Sequence, residues 1–348
     1  MKFDNFVLGN ISTMKYGKMP DKKKIKENGK FPIYSGYRIV GYYDEYNLGE
    51  SELIVIARGV GGTGDVKLSP SKCFLTNLSI AIFPDENIVL RQYLYYYFKN
   101  RNLRYLDSGS AQSQITISDL KKVSIKIPSI AVQKRIVKIL NDLDKKIISN
   151  QNINDNLEKQ IEAIFQQIFV KNQHTNWEIG KLSDLVSIKY GKDHKKLGDG
   201  KYPVYGSGGV MRYVEKYLYE GESVLIPRKG TLNNVIYVNE AFWSVDTMFY
   251  TVMLRPNIAK FIYYFIKRKD LASLNAGSAV PSMTTNILNA MQLYIPDEKT
   301  LEWFEQITSP MFLSIKRNIL ENKELLATRD LLLPEFMSGN IDVSITKL

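Results

Sequence analysis

The feature that most constrains this chain is that it is written twice. Lys15-Tyr16-Gly17-Lys18 returns as Lys189-Tyr190-Gly191-Lys192, and Phe31-Pro32-Ile33-Tyr34 as Tyr202-Pro203-Val204-Tyr205. Gly49-Glu50-Ser51 returns as Gly221-Glu222-Ser223. The aromatic run Tyr93–Phe98 has its echo in Phe261–Phe265. Ser108-Gly109-Ser110-Ala111 matches Ala276-Gly277-Ser278-Ala279, and Ile127-Pro128 matches Ile295-Pro296. Matches in one order divide the chain into two copies of one unit, 1–171 and 172–348. Each copy begins with short β-like runs and turn signals, such as ELIVIARG, VIYVNEAF and FYTVMLRP. Each then passes a proline, Pro128 or Pro296, into one long helix.

The helices carry a second constraint. Ile136, Leu140, Leu143, Ile147, Asn150, Asn154, Leu157, Ile161, Ile164 and Ile168 alternate gaps of four and three, the spacing of a coiled-coil seam. The seam returns 168 residues later as Phe304, Thr308, Met311, Ile315, Asn318, Asn322, Leu325, Arg329, Leu332 and Phe336. Asparagines on an apolar seam weaken it but fix its register, because each needs a polar partner at one level only. Equivalent helices related by a two-fold axis pair antiparallel, so Asn150 and Asn154 are expected to face Asn322 and Asn318. The expected fold is α+β: two mixed α/β globular domains in pseudo-two-fold arrangement, separated by two long antiparallel coiled-coil helices. Its divisions are 1–128 (first domain), 129–171 (first helix), 172–296 (second domain), 297–340 (second helix) and 341–348 (tail). A helix of forty or so residues spans ~60 Å. It would serve as a rigid spacer, a ruler, between the two globular domains.

The 348 residues suffice for two domains, and a net charge of +11 points to an anionic partner, most often nucleic acid. The bland alternative is a solubilising lysine surface. One cysteine, Cys73, excludes an internal disulfide and fits a reducing cytoplasm. The N-terminus lacks a signal-peptide pattern, and no run reaches a membrane span, so no membrane partner is expected.

The repeated loops supply the candidate DNA-binding residues. In the first copy these are Lys15, Lys18, Tyr34, Ser35, Arg38, Arg58, Ser110, Gln112 and Gln114. In the second they are Lys189, Lys192, Tyr205, Ser207, Arg228, Lys229, Thr231, Ser278 and Ser282. Gln and Arg are base readers, whereas Lys, Ser and Thr more often hold phosphates. The tyrosine runs have helical spacing and are expected in the core.

Catalytic readings find little support. The run GVGGTG at 59–64 has dinucleotide-loop spacing, but a proline-containing, strand-like stretch follows it instead of a helix. The only histidines are His174 and His194, which with one cysteine make no plausible zinc set. Glu321-Asn322-Lys323 resembles a nuclease fragment but lies on the seam-bearing helix. No Asn-Pro-Pro-Tyr run of an adenine methyltransferase is present.

At this point the residues show a family likeness. IPSIAVQKRIVKILNDLDKKIISNQNINDNLEKQIEAIFQQIF (127–169) and RDLLLPEFMSGNIDV (329–343) resemble the specificity subunits of type I restriction-modification systems. So do IPRKGTLNNVIYVNEAFWSVDTMFY (226–250) and GSAVPSMTTNILNAMQLYIP (277–296). The resemblance spans essentially the whole chain. It implies a non-catalytic cytoplasmic protein whose two target-recognition domains each read half of a bipartite, asymmetric site on double-stranded DNA. It implies docking of two methyltransferase subunits and, in the full complex, restriction subunits. This chain would hold no cofactor, while S-adenosylmethionine, ATP and Mg would sit on the partners. Gln133–Ile136 becomes Leu301-Glu302-Trp303-Phe304 in the second copy, so docking there is expected to be asymmetric. The alternatives are a coiled-coil scaffold for proteins only, a related non-type-I modification system, or a nuclease or methyltransferase acting alone.

Overall fold

The computed structural model describes residues 1–59, 62–107, 113–171, 177–274 and 282–344. They form two compact units, one of Met1–Asn150 with Leu320–Leu348 and one of Gln151–Ile319. Each unit therefore joins one globular copy to parts of both long helices.

In the first unit the chain runs β1 (Phe3–Val7), β2 (Ser12–Tyr16), β3 (Phe31–Ser35), β4 (Arg38–Tyr43), β5 (Leu53–Ile56), β6 (Val66–Leu68), β7 (Phe74–Leu75) and β8 (Ser79–Pro84). Helices α1 (Arg91–Arg101) and α2 (Ile117–Lys121), strand β9 (Ser124–Pro128) and the long α3 (Ile130–Phe165) follow. The second unit repeats the plan with β10 (Glu178–Lys181), β11 (Val186–Tyr190), β12 (Asp199–Gly206), β13 (Gly209–Val214), β14 (Tyr219–Pro227), β15 (Ile236–Ser244) and β16 (Met248–Met253). After them come α4 (Ala259–Lys267), α5 (Thr285–Asn289), β17 (Gln292–Ile295) and the long α6 (Glu298–Ser338).

The pairing is duplicated strand for strand. β1 pairs antiparallel with β9 as β10 does with β17. β2-β8-β5-β6 matches β11-β16-β14-β15. β3 pairs with β4 and, in parallel, with β7; β12 pairs with β13 and, in parallel, with β15. Among these pairings the copies differ at the last partner of the larger sheet. β15 is a single strand reaching two neighbours, whereas its counterpart is split into β6 and β7. The break holds Pro70, which cannot donate to a ladder, and Lys72, whose φ of 49° leaves the β region.

The aromatic runs pack inward, as their spacing predicts. Tyr93, Leu94, Tyr96, Tyr97 and Phe98 of α1 join the first unit's core with Ile136 and Leu140 of α3 and Phe336 and Met337 of α6. Phe261, Ile262 and Tyr264 of α4 join the second's with Ile161, Phe165 and Phe304. Every seam position named from the sequence is buried or half-buried.

Within each unit the helix segments run antiparallel. In the first, Arg329 Nη1 donates to Asp144 Oδ1 (3.0 Å) and Asn150 Nδ2 to Asn322 Oδ1 (2.9 Å). In the second, Asn318 Nδ2 donates to Asn154 Oδ1 (2.8 Å), and Phe165 meets Phe304 with ring centroids 6.0 Å apart. Asn150 thus faces Asn322 and Asn154 faces Asn318, as the duplicated seam requires. Asn150 also donates to Glu321 Oε2 (2.8 Å), and Asn322 donates to the Ile147 carbonyl (3.3 Å). Glu321, part of the nuclease-like fragment, is thereby a partner within the helix pair, with Lys146 3.2 Å away.

The two helix starts are anchored differently. Gln133 is buried and bonds three backbone groups: it accepts from Leu90 N–H and donates to the carbonyls of Ile88 and Pro128, each at 2.9 Å. Its counterpart Leu301 is buried in the apolar core of its own unit. Arg135 donates to the Val343 carbonyl (3.0 Å), whereas its counterpart Trp303 is exposed.

Candidate nucleic-acid interface

In each unit the repeated loops converge on one edge, joined by the same set of backbone bonds. In the first, Gly17 N–H donates to Ser79 O (3.0 Å), Lys18 N–H to Leu75 O (2.9 Å) and Thr76 N–H to Tyr34 O (3.1 Å). Ala57 N–H donates to Leu78 O (2.8 Å) and Ile115 N–H to Ala57 O (2.9 Å), and Arg58 forms a β-bridge with Gln114. In the second, Gly191 N–H donates to Met248 O (3.0 Å), Lys192 N–H to Ser244 O (2.8 Å) and Val245 N–H to Tyr205 O (3.1 Å). Arg228 N–H donates to Thr247 O (2.8 Å) and Met283 N–H to Arg228 O (2.9 Å), and Lys229 bridges Ser282. Segments far apart in sequence are neighbours at this edge in both copies.

The repeated Lys-Tyr-Gly-Lys has a steric cause. A Cβ at Gly17 would lie 2.2 Å from the Thr76 carbonyl oxygen, and one at Gly191 would lie 2.0 Å from that of Val245. Only glycine lets the backbone come close enough for the Lys18 and Lys192 bonds.

Side chains at the edge fall into distinct environments. Lys15, Lys18, Arg38, Arg58, Lys189, Lys192, Lys229 and Thr231 are exposed. Ser35, Gln114, Ser207, Arg228 and Ser282 are half-buried. Gln114 has its N–H held by Asp107 Oδ1 (2.8 Å), and Ser35 Oγ accepts from Thr76 Oγ1 (3.2 Å). Arg228 donates from Nη1 to the Asp246 carbonyl (3.3 Å), and its guanidinium lies 5.4 Å over the exposed Tyr190 ring. That stacking orients the fork and is worth ~0.5–1 kcal/mol at an exposed site.

Tyr34 and Tyr205 belong to the supporting layer. Tyr205 packs on the Val204–Phe242 cluster and donates its hydroxyl to Glu240 Oε1 (2.6 Å). Burial, then that bond, pushes its phenol pKa up. Tyr34 packs on Leu48 and Ile54, and burial raises its pKa too. Ser110, Gln112 and Ser278 lie outside the described residues.

Several residues at this edge were not among the candidate DNA-binding residues. Tyr16 Oη accepts from Ile117 N–H (3.3 Å), which ties the first loop to α2. Tyr37 donates to Asp65 Oδ2 (2.5 Å), and burial followed by that bond pushes its pKa up to about 12, so the phenol stays neutral. Asn234 Nδ2 donates to the Ser207 carbonyl (2.6 Å), fastening two loops of the second edge. The sequence signal for the tyrosines was their place inside or beside a repeated motif. Asn234 had none, since its partner is distant in the chain. Beyond Gly62 the glycine-rich run turns directly into β6, not into the helix a dinucleotide site needs.

The chain matches the family model described as type I restriction modification DNA specificity domain twice, over residues 1–159 and 174–324. It is 24% identical over 359 residues to a putative type I specificity subunit of Mycoplasma pneumoniae, covering 94% of this chain and 93% of the other. It is 22% identical over 309 residues to the type I restriction enzyme MjaIX specificity subunit of Methanocaldococcus jannaschii, covering 75% and 71%. The fold is similar to the crystal structure of a type I restriction-modification S subunit from M. genitalium. The TM-score there is 0.76 at 20% identity, with 96% of each chain covered.

Proposed function

From the premise that this chain belongs to the type I restriction-modification DNA specificity family, we propose that each unit reads one half of a bipartite, asymmetric site on double-stranded DNA. The single observation that carries this reading is the duplicated loop edge. Two sets of repeated segments, joined by equivalent bonds, bring Arg58 beside Gln114 and Lys229 beside Ser282. Arginine and glutamine read base edges by paired hydrogen bonds, and lysine and serine hold phosphates. The net charge of +11 suits the phosphate backbone.

On this reading the chain is not itself an enzyme. It docks two methyltransferase subunits and, through that complex, restriction subunits, in a reducing cytoplasm. S-adenosylmethionine, ATP and Mg belong to those partners. The helix pairs act as the ruler between half-sites. Among the described residues no helix is long and apolar enough to cross a membrane.

The test is a methylome. The chain is co-expressed with its methyltransferase, and modified adenines are mapped by single-molecule sequencing. A split motif, two short half-sites at a fixed gap, is expected. Methylation at no defined sequence would refute the reading. DNA binding that stays flat as salt rises would favour a scaffold that binds only proteins.

A further inference from the structure

One repeated feature lies outside the reading edge. Between β2 and β3 the chain carries Lys22, Lys23 and Lys24 in a single 3-10 turn. At the matching place between β11 and β12 it carries Lys195 and Lys196. The second connection is shorter, yet it keeps the lysines. All five are exposed, and among the described residues none forms a salt bridge.

The two turns are built alike. Asp21 Oδ1 accepts from Lys23 N–H (3.0 Å), and Asp193 Oδ1 accepts from Lys195 N–H (3.1 Å). One oxygen of the preceding aspartate is thus bonded to the backbone in each turn. The Lys195 N–H bond holds the Asp193 carboxyl below its ordinary range. A distant side chain also bonds the backbone beside each turn. Tyr43 donates its hydroxyl to the Asp21 carbonyl (2.8 Å), and Arg212 Nη2 donates to the Leu197 carbonyl (2.6 Å). A random solubilising surface needs neither the anchors nor the recurrence.

Their place in the chain bounds their distance from the loop edges. Lys18 and Lys192 are bonded into the loop edges. Lys22 follows Lys18 by four residues and Lys195 follows Lys192 by three, so neither turn can begin more than ~14 Å from its edge. That is about one major-groove width. A groove seated on the edge would bring its bordering phosphates to the turn.

We propose that the turns Lys22–Lys24 and Lys195–Lys196 are paired grips for DNA phosphates, one beside each half-site, that hold the duplex in register without reading bases. The inference rests on the DNA-reading function proposed above. Lysine suits the role because it is a flexible point charge and cannot make the planar fork that discriminates bases.

The test uses the complex of this chain with its methyltransferase and a labelled duplex bearing the methylated motif, titrated across salt. Wild type is compared with Lys22→Gln/Lys23→Gln/Lys24→Gln and with Lys195→Gln/Lys196→Gln. Each phosphate no longer neutralised takes ~0.9 from the slope of log affinity against log salt. On that scale the triple variant should lose up to about 3 and the double up to about 2, while the methylated motif keeps the same bases. Variants that melt like wild type yet keep its slope and affinity would overturn the proposal. So would a changed motif, which would make the lysines base readers. A wild-type complex with no motif and no salt-dependent binding would overturn the DNA-reading function itself, and this inference with it.

Discussion

Asn150 shows how much one side chain on a seam can specify. It is 1% exposed, and its amide reaches both Asn322 and Glu321. Replacing it by leucine removes the donor that Asn322 Oδ1 uses, and an orphaned buried acceptor costs ~1–3 kcal/mol. Asn150→Leu should therefore lower stability by that order in urea unfolding. Asn150→Leu/Asn322→Leu should recover most of the loss, because no polar group is then stranded. Additive losses in that double-mutant cycle would show that the pair is not coupled. Lys260 makes a sharper case. It is 3% exposed, with Glu222 Oε1 at 3.2 Å and Glu305 also paired to it. Lys260→Ala leaves two carboxylates short of their cation, and breaking a buried pair costs ~3–5 kcal/mol. The expected outcome is a much lower urea midpoint, whereas exposed Lys299→Ala should leave it in place.

At the scale of the element, the long helices owe their start and register to separate devices. Asp297 stands immediately before α6 and accepts from Thr300 N–H (2.9 Å) and Trp177 Nε1 (3.1 Å). The Thr300 bond is the main cause holding its carboxyl below the ordinary value. A depressed carboxylate stabilises the fold fully above its unfolded pKa, near ~3.9, and loses that contribution as pH falls through the lower folded value. Asp297→Ala should cost ~1 kcal/mol at neutral pH, as cap removals do. The difference between wild type and variant should shrink below about pH 4, as read by melting at each pH. The seam was legible because its 4-3 spacing is local to each helix. The partner of each asparagine was legible only through the duplication, which fixed the antiparallel sense. Gln133 was not legible. Its three partners come from the end of β9 and the segment before α1, and spacing carries no trace of them.

At the scale of the whole molecule, the ruler reading makes a length prediction. Removing one heptad from α3 near Asn150, with the matching heptad of α6 near Asn322, keeps the apolar seam in phase but shortens it by ~10 Å. The methylated motif should keep both half-sites and lose base pairs from the gap. An unchanged gap would remove the helices as its determinant. Removing four residues from α3 alone breaks the seam's phase, and methylation should then fall without a new motif.

By itself the sequence determined the duplication, the seam and the central asparagines of each helix. All of these are periodic or repeated, so they are properties of short windows or of one window compared with another. Only the tertiary structure decided which chain segments make a unit, since each helix is shared between two and no local pattern records that. The folded chain also sorted the tyrosines at the loop edge. Tyr34 and Tyr205, each the next-to-last residue of its strand, turned inward to an apolar cluster and, for Tyr205, to Glu240. Tyr190 stayed out, where Arg228 stacks on it. Identical residue types in repeated motifs thus took opposite roles. The physical reason is that burial and hydrogen-bond partners are set by neighbours distant in sequence, which only the closed fold brings together.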